Sequence, residues 1–208
     1  ITMENKLSSF PEAVDPELIT RMHATGMLPS LHAKLQPDGM AIYSQAGDRT
    51  FSELNANANR LAAALQRSGM KPGDHLALLC PNVPEFVEAF LANLRSGFRI
   101  IPINWHLAAE EVAYIVKDAD AKAFSAHARF AETAAAVARD ANPEIRIAIG
   151  GGIQSFLDYQ ELLANSNPDD PLEPRHGFQM LYTSGTTGRP KGVYTEKPKL
   201  RRPQWGPN

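Results

Sequence analysis

Between residues 75 and 165 short apolar runs alternate with helical stretches, and this alternation restricts the fold more than any other feature of the chain. The run Leu76-Ala77-Leu78-Leu79-Cys80 is apolar without a break, as is most of 98–103. Uninterrupted runs of that length suit strands buried on both faces of a parallel sheet. Between them, Phe86, Val87, Phe90, Leu91 and Leu94 recur at helical spacing, with Pro84 as a start signal and Gly97 as a stop. The same reading predicts a helix over 110–117 with Val112, Ile115 and Val116 inward, and a strand over 122–125. An alanine-rich helix over 128–141 follows, then a strand over 145–149 ended by Gly150-Gly151-Gly152, and a helix over 155–164. Repeated strand–helix–strand units imply an α/β fold, a mainly parallel sheet flanked by helices.

Upstream, residues 1–38 hold Pro11, Pro16, Pro29 and Pro37 and read as an irregular lead-in with one or two short helices. Residues 40–43 and 49–51 flank Gln45-Ala46-Gly47-Asp48 as a β-hairpin. Ser52 is the expected cap of a helix running to about residue 68, with Leu54, Ala58, Leu61, Ala62 and Leu65 on one face and Gly69 as its stop. Pro72-Gly73-Asp74 is a turn. Residues 165–175, with Pro168, Pro171 and Pro174, read as a linker crossing the surface, and 178–182 as a further strand.

That last strand delivers Tyr182-Thr183-Ser184-Gly185-Thr186-Thr187-Gly188-Arg189-Pro190-Lys191-Gly192. Glycines allow tight turns and bring bare N–H groups close to an anion. The hydroxyls of Thr183, Ser184, Thr186 and Thr187 add donors, and Lys191 adds a mobile positive charge. The combination suits phosphate. It is not a Walker A loop, because Gly188 is followed by Arg189 and no Gly-Lys-Ser/Thr occurs. A plain Gly/Ser/Thr surface turn is the competing explanation, and the residue order argues against it. The run resembles the signature phosphate loop of the adenylate-forming (AMP-binding) superfamily, whose pattern Thr-Ser-Gly-Thr-Thr-Gly-x-Pro-Lys-Gly is met throughout.

The resemblance extends to Arg49-Thr50-Phe51-Ser52-Glu53-Leu54, Gly69, Pro72-Gly73-Asp74, Pro81-Asn82, Gly97, Pro102-x-Asn104 and Glu111-x-x-Tyr114-Ile115, which are similar to landmarks of acyl-CoA synthetases. It implies a lead-in over 1–38, an incomplete N-terminal AMP-binding domain over 39–193 and a basic, proline-rich tail over 194–208. It also implies an ATP-dependent ligase that joins a fatty or aromatic carboxylic acid, with a fatty acid preferred, to a thiol through an acyl-adenylate. The implied cofactors are ATP, Mg²⁺ and coenzyme A. Thr183, Ser184, Thr186, Thr187 and the amides of Gly185 and Gly188 would hold the β- and γ-phosphates, and Lys191 would neutralise the departing pyrophosphate. The superfamily's adenine-binding, ribose-binding and catalytic lysine motifs are not among these 208 residues. Tyr194-Thr195-Glu196 lacks the glycine and the spacing of the superfamily's Mg²⁺-binding motif. No catalytic or metal-ligating residue is therefore assigned, and the chain alone is expected to be inactive. A free-standing nucleotide- or phosphate-binding or interaction module is the alternative from a different class.

Composition narrows the partners. With 43% hydrophobic residues, 21% charged residues and a net charge of −2, nothing points to nucleic acid, and the basic residues after Val193 are too few to change that. No apolar run approaches the roughly 18 residues a membrane span needs. The lone Cys80 lies in an apolar run, so a reducing, cytoplasmic setting is expected. The histidines show no metal-ligand spacing. Glu110-Glu111, Asp118/Asp120 and Asp169-Asp170 are expected to be solvated. Trp105-His106, at the end of a buried strand, either borders a ligand pocket or is a surface loop.

Overall fold

The computed structural model describes residues 14–183 and 190–194, apart from the Tyr194 side chain. Two short helices, α1 (Pro16–Ala24) and α2 (Leu28–Leu35), each carry proline in the first turn, where its missing N–H has no helical partner to lose. A hairpin of β1 (Met40–Ile42) and β2 (Arg49–Thr50) leads straight into α3 (Phe51–Arg67). Thr50, not Ser52, caps α3. Its Oγ1 accepts the Glu53 N–H at 3.1 Å, and Glu53 Oε2 accepts the Thr50 N–H at 2.9 Å. Thr50-x-x-Glu53 supplies both halves of a capping box, whereas three residues after Ser52 stands Asn55, with no carboxylate to return the bond.

Next come β3 (His75–Leu79), α4 (Pro84–Ser96), β4 (Arg99–Pro102), α5 (Ala109–Asp118), β5 (Ala121–His127), α6 (Ala131–Asp140), β6 (Ile145–Ile149), β7 (Leu157–Asp158), α7 (Tyr159–Ala164), β8 (Phe178–Thr183) and β9 (Lys191–Tyr194). Gly97 closes α4 in the left-handed region at φ 72°, which costs glycine nothing. Two expected helices start late. His127 Nδ1 accepts the Arg129 N–H at 3.1 Å and tightens Ala128–Phe130 into a 3₁₀ turn, so α6 begins at Ala131. Ser155 sits at φ 69°, and Leu157 and Asp158 pair with Ile147 and Ala148, so a strand stands where helix was expected. Among the described residues no helix is long and apolar enough to cross a membrane.

The chain forms two compact units. One, built from 73–81, 98–159 and the described residues from 178 onward, holds a sheet of strand order β7-β6-β5-β3-β4-β8-β9. Every pairing is parallel except β8 with β9. Ala77, Leu79, Ile101 and Phe124 from the strands pack with Val112, Ile115 and Val116 of α5 and Ala134 and Val137 of α6. The intervening Leu76, Leu78 and Ile100 are equally inaccessible, so both faces of the central strands are closed to water. Each large side chain buried in this way contributes about 1.5–3 kcal/mol.

The other unit comprises the described residues before 73 together with 82–97 and 160–177. Leu54 and Ala58 of α3 pack on Leu91 of α4, with Ala41, Ile42, Val87 and Leu94 around them. Of the apolar residues expected to define α4, Leu91 alone is buried, and Glu88, Asn93, Arg95 and Ser96 are buried with it. Arg49 Nε bonds Glu88 Oε1 at 2.8 Å, and Asn57 Nδ2 donates to the same oxygen at 2.9 Å. Arg95 donates to the Leu91 carbonyl at 3.2 Å, to Asn55 Oδ1 at 2.8 Å and to Asn59 Oδ1. Burial pulls its pKa down to about 10, opposed by the charge of Asp170, so the guanidinium stays charged at neutral pH.

Asp170, expected in water, is instead the anchor of the 165–177 segment. Its carboxylate accepts from Ser30 Oγ at 2.5 Å, Lys34 Nζ at 2.9 Å, Asn59 Nδ2 at 3.1 Å and Asn55 Nδ2 at 3.2 Å. Further along, the Arg175 and Gly177 amides donate to the Arg95 and Leu94 carbonyls at 3.1 and 2.9 Å. The segment is tied down at both ends.

Candidate functional site

β8 changes partner along its length. Phe178 and Gln179 pair in parallel with Arg99 and Ile100 of β4, while Met180, Leu181, Tyr182 and Thr183 pair antiparallel with Tyr194, Val193, Gly192 and Lys191 of β9. Thr183 and Lys191, the outermost pair, therefore face each other where the chain leaves β8 and re-enters β9. Ser184, Gly185, Thr186, Thr187 and Gly188, the other predicted phosphate contacts, lie outside the described residues. Exposure alternates along β8: Gln179, Leu181 and Thr183 are exposed, and Met180 and Tyr182 are turned in. Directly opposed residues of an antiparallel pair share a face, with Cβ atoms about 5 Å apart. Thr183 and Lys191 thus present a hydroxyl and an ammonium together to solvent, a donor pair matched to one phosphate group.

The inward face of the same hairpin is pinned. Tyr182 donates its hydroxyl to Asp118 Oδ2 at 2.7 Å, and Tyr114 donates to Asp118 Oδ1 at 3.3 Å. A carboxylate at the C-terminus of a helix faces the negative end of the helix dipole, an unfavourable place that the two phenol donors offset. Burial, then the hydrogen bond and charge of Asp118, hold the Tyr182 phenol well above its usual pKa, so it remains a donor. Across the ladder from Tyr182 stands Gly192. A Cβ there would collide with Met180 Cε and lie 3.2 Å from Tyr182 Cζ. Asp118 and Tyr182 were not singled out as site residues; Tyr114 and Asp118, one helical turn apart, could have been placed on one face.

Parallel strands bring their carboxyl ends to one edge of the sheet, where α/β folds bind ligands. There β4 is followed by Asn104-Trp105-His106 and β5 by Arg129-Phe130, and β8 ends in Thr183. Trp105 is 38% exposed and stacks on His106 with centroids 3.5 Å apart and on Phe130 at 5.9 Å. The Arg129 guanidinium lies 5.5 Å from the Trp105 ring centre and 5.2 Å from that of Phe130. Asn104 Oδ1 accepts the His106 backbone N–H at 3.1 Å. Trp105 and His106 thus belong to a cation–aromatic group beyond the carboxyl ends of β4 and β5.

The model of the AMP-binding enzyme family matches residues 30–200. The chain is 32% identical over 182 residues to the fatty acid–acyl-carrier-protein ligase ScoC of Streptomyces coeruleorubidus, covering 86% of this chain and 33% of that protein. It is also 32% identical over 173 residues to a feruloyl-CoA synthase of an Amycolatopsis species, covering 83% and 33%. The inhibitor-bound N-terminal domain of FACL13 from Mycobacterium tuberculosis superposes with a TM-score of 0.69 at 32% identity, over 83% of this chain and 44% of that domain. The chain spans about a third of the length of the curated relatives it matches. With the family model matching most of the sequence, over a mainly parallel sheet flanked by helices, the chain belongs to the AMP-binding enzyme family.

Proposed function

We propose that this chain is the phosphate-gripping portion of an ATP-dependent acid–thiol ligase of the acyl-CoA synthetase type. The observation that carries the reading is the pairing of Thr183 with Lys191 on the exposed face of the β8–β9 hairpin. ATP would supply the adenylyl group to the carboxylate and leave as pyrophosphate. The part of this chain is to orient the β- and γ-phosphates through Thr183, Ser184, Thr186, Thr187 and the amides of Gly185 and Gly188. Lys191 would hold the charge that grows on the leaving pyrophosphate. Both placed residues suit that task, since a hydroxyl and an ammonium donate to an anion without needing to lose a proton. Mg²⁺ and a thiol acceptor, coenzyme A first, belong to the same reading. The named relatives support a carboxylic acid as substrate, one being a fatty acid ligase and one a feruloyl-CoA synthase. Of the two, a fatty acid is the proposed substrate.

Titration of the labelled chain with Mg²⁺-pyrophosphate, followed by amide shifts, tests the reading. Saturable shifts at Thr183 and Lys191 with a midpoint between about 0.1 and 10 mM, an affinity of roughly −5 to −3 kcal/mol, support it. Their absence overturns it. Carboxylate-dependent ATP–pyrophosphate exchange by the chain alone is expected to be silent, and measurable exchange would contradict its assignment as one portion of the ligase. Micromolar binding of pyrophosphate without exchange would favour a free-standing phosphate-binding module.

A further inference from the structure

We propose that Asp118 is a positioning residue for the phosphate grip, acting through Tyr182 to set how β9 lies along β8 and so where Lys191 stands beside Thr183. The inference rests on the phosphate-binding reading above. Among the described residues no hydrogen bond or ion pair joins Asp118 to Thr183 or Lys191. Its hydrogen-bond partners among the described residues are two phenols, Tyr114 on its own helix and Tyr182 on β8. Tyr182 lies between them and the grip: it directly precedes Thr183 and is the cross-strand partner of Gly192, which directly follows Lys191.

The ring and the glycine together fix the register. Tyr182 closes over the one residue of β9 that has no side chain, with Cζ 3.2 Å from where a Cβ would be. A slip of β9 by one residue would bring Lys191 or Val193 under the ring in place of Gly192. It would also carry every β9 side chain to the opposite face, turning Lys191 away from the exposed side that Thr183 occupies. The ring can enforce this only while it is itself held in place, and the Asp118 carboxylate holds its far end. Short antiparallel pairs at the edge of a sheet are weakly registered without such a device. The exposed face offers little else: Leu181 and Val193, the other opposed pair on that side, are 47% and 57% exposed.

The test uses the 208-residue chain and its Asp118→Ala, Tyr182→Phe, double and Tyr114→Phe variants. Amide hydrogen exchange is read on β9, with β3 as the internal reference. Asp118→Ala and Tyr182→Phe are each expected to speed β9 exchange about tenfold, the scale of one hydrogen bond to a charged acceptor, while β3 is unchanged. The double variant should go no further than either single one, because both remove the same contact. Tyr114→Phe, which loses the other phenol on Asp118, should leave β9 as it is. Inorganic pyrophosphate should bind several-fold more weakly to the first three variants. The proposal is overturned by unchanged β9 exchange, by acceleration shared equally with β3, by additive effects in the double variant, or by a Tyr114→Phe effect as large as that of Tyr182→Phe. If the unaltered chain binds pyrophosphate and the three variants bind it equally well, the positioning role falls and the phosphate reading survives. If the unaltered chain shows no pyrophosphate shifts while β9 exchange responds as expected, the phosphate reading falls and the register device stands.

Discussion

Thr183 and Lys191 are cross-strand partners in the antiparallel β8–β9 ladder, so the first hydroxyl of the glycine loop and its lysine stand opposite each other, not at the two ends of an open coil. An anion seated between them would be held from two strands. Replacing Lys191 with Met keeps the stem and removes the charge. Pyrophosphate binding is expected to weaken about tenfold or more, on the scale of a charge-assisted hydrogen bond. Thr183→Val, which removes only a hydroxyl, should weaken it about fivefold. Both variants should keep the β9 exchange rates of the parent chain. Amide-shift titration measures the affinities, and an unchanged affinity in Lys191→Met would remove that residue from the site.

The central architecture was legible in the sequence because its signals are local. Leu76 to Leu79 form an apolar run with no polar break, and Gly97 and Pro84 punctuate α4 as expected. The α/β class, the mainly parallel sheet and the strand leading to the loop follow from such signals. What was not legible depends on partners far along the chain. Asp170 reads as a linker carboxylate until Ser30, Lys34, Asn55 and Asn59 converge on it. Glu88 looks like a polar interruption of α4 until Arg49 and Asn57 cover it. Asp118 has an ordinary helix-end environment in sequence, and its role depends on Tyr182, 64 positions away. β7 was misread because two residues that suit a helix gain ladder hydrogen bonds from β6. Within the candidate site, residue type suggested phosphate chemistry, while the pairing that aligns Thr183 with Lys191 depends on β9, a strand not anticipated.

Gly192 is constrained by the Tyr182 ring. Gly192→Ala places a methyl carbon against Met180 Cε, which can swing aside, and 3.2 Å from Tyr182 Cζ, which is tethered through its hydroxyl. The expected cost is about 1–3 kcal/mol, the range for overpacking a filled site. Gly192→Val should cost more. In a Tyr182→Phe background the ring is released from Asp118, so Gly192→Ala should cost less than in the parent chain. Urea unfolding of the four chains gives the coupling, and equal costs in both backgrounds would show that the ring is not held by its hydroxyl.

Arg49 is expected to matter through Glu88, a carboxylate with no exposed surface. Its Nε bonds Glu88 at 2.8 Å, and its Nη2 reaches Glu85 Oε1 at 3.3 Å. Arg49→Met removes the main compensating charge and should destabilise the fold by about 3–5 kcal/mol, as when one member of a buried ion pair is lost. Adding Glu88→Gln should recover part of that loss, because the amide keeps the shape and removes the buried charge. Denaturant midpoints would decide it. A loss below about 1 kcal/mol would place the pair among surface ion pairs instead.

Asp170 gives a pH dependence with a definite sign. Partial burial by itself would raise its pKa, but the hydrogen bonds from Ser30, Lys34, Asn59 and Asn55 outweigh that and hold the carboxyl well below the usual aspartate range. A group whose pKa is depressed in the folded state binds fewer protons there than in the unfolded chain. The stability it contributes is therefore full above the unfolded pKa of about 4 and drains away as the pH falls below it. In urea unfolding between about pH 6 and pH 2, the parent chain should lose more stability than Asp170→Asn. At neutral pH Asp170→Asn should be the less stable of the two, since Lys34 and the charged Arg95 lose the neighbouring carboxylate. The two acid limbs should then converge as protonation makes the parent resemble the variant. Parallel limbs over that range would mean that the four donors do not hold the Asp170 carboxylate in solution, and that the 165–177 segment is anchored by its backbone bonds to Leu94 and Arg95 alone.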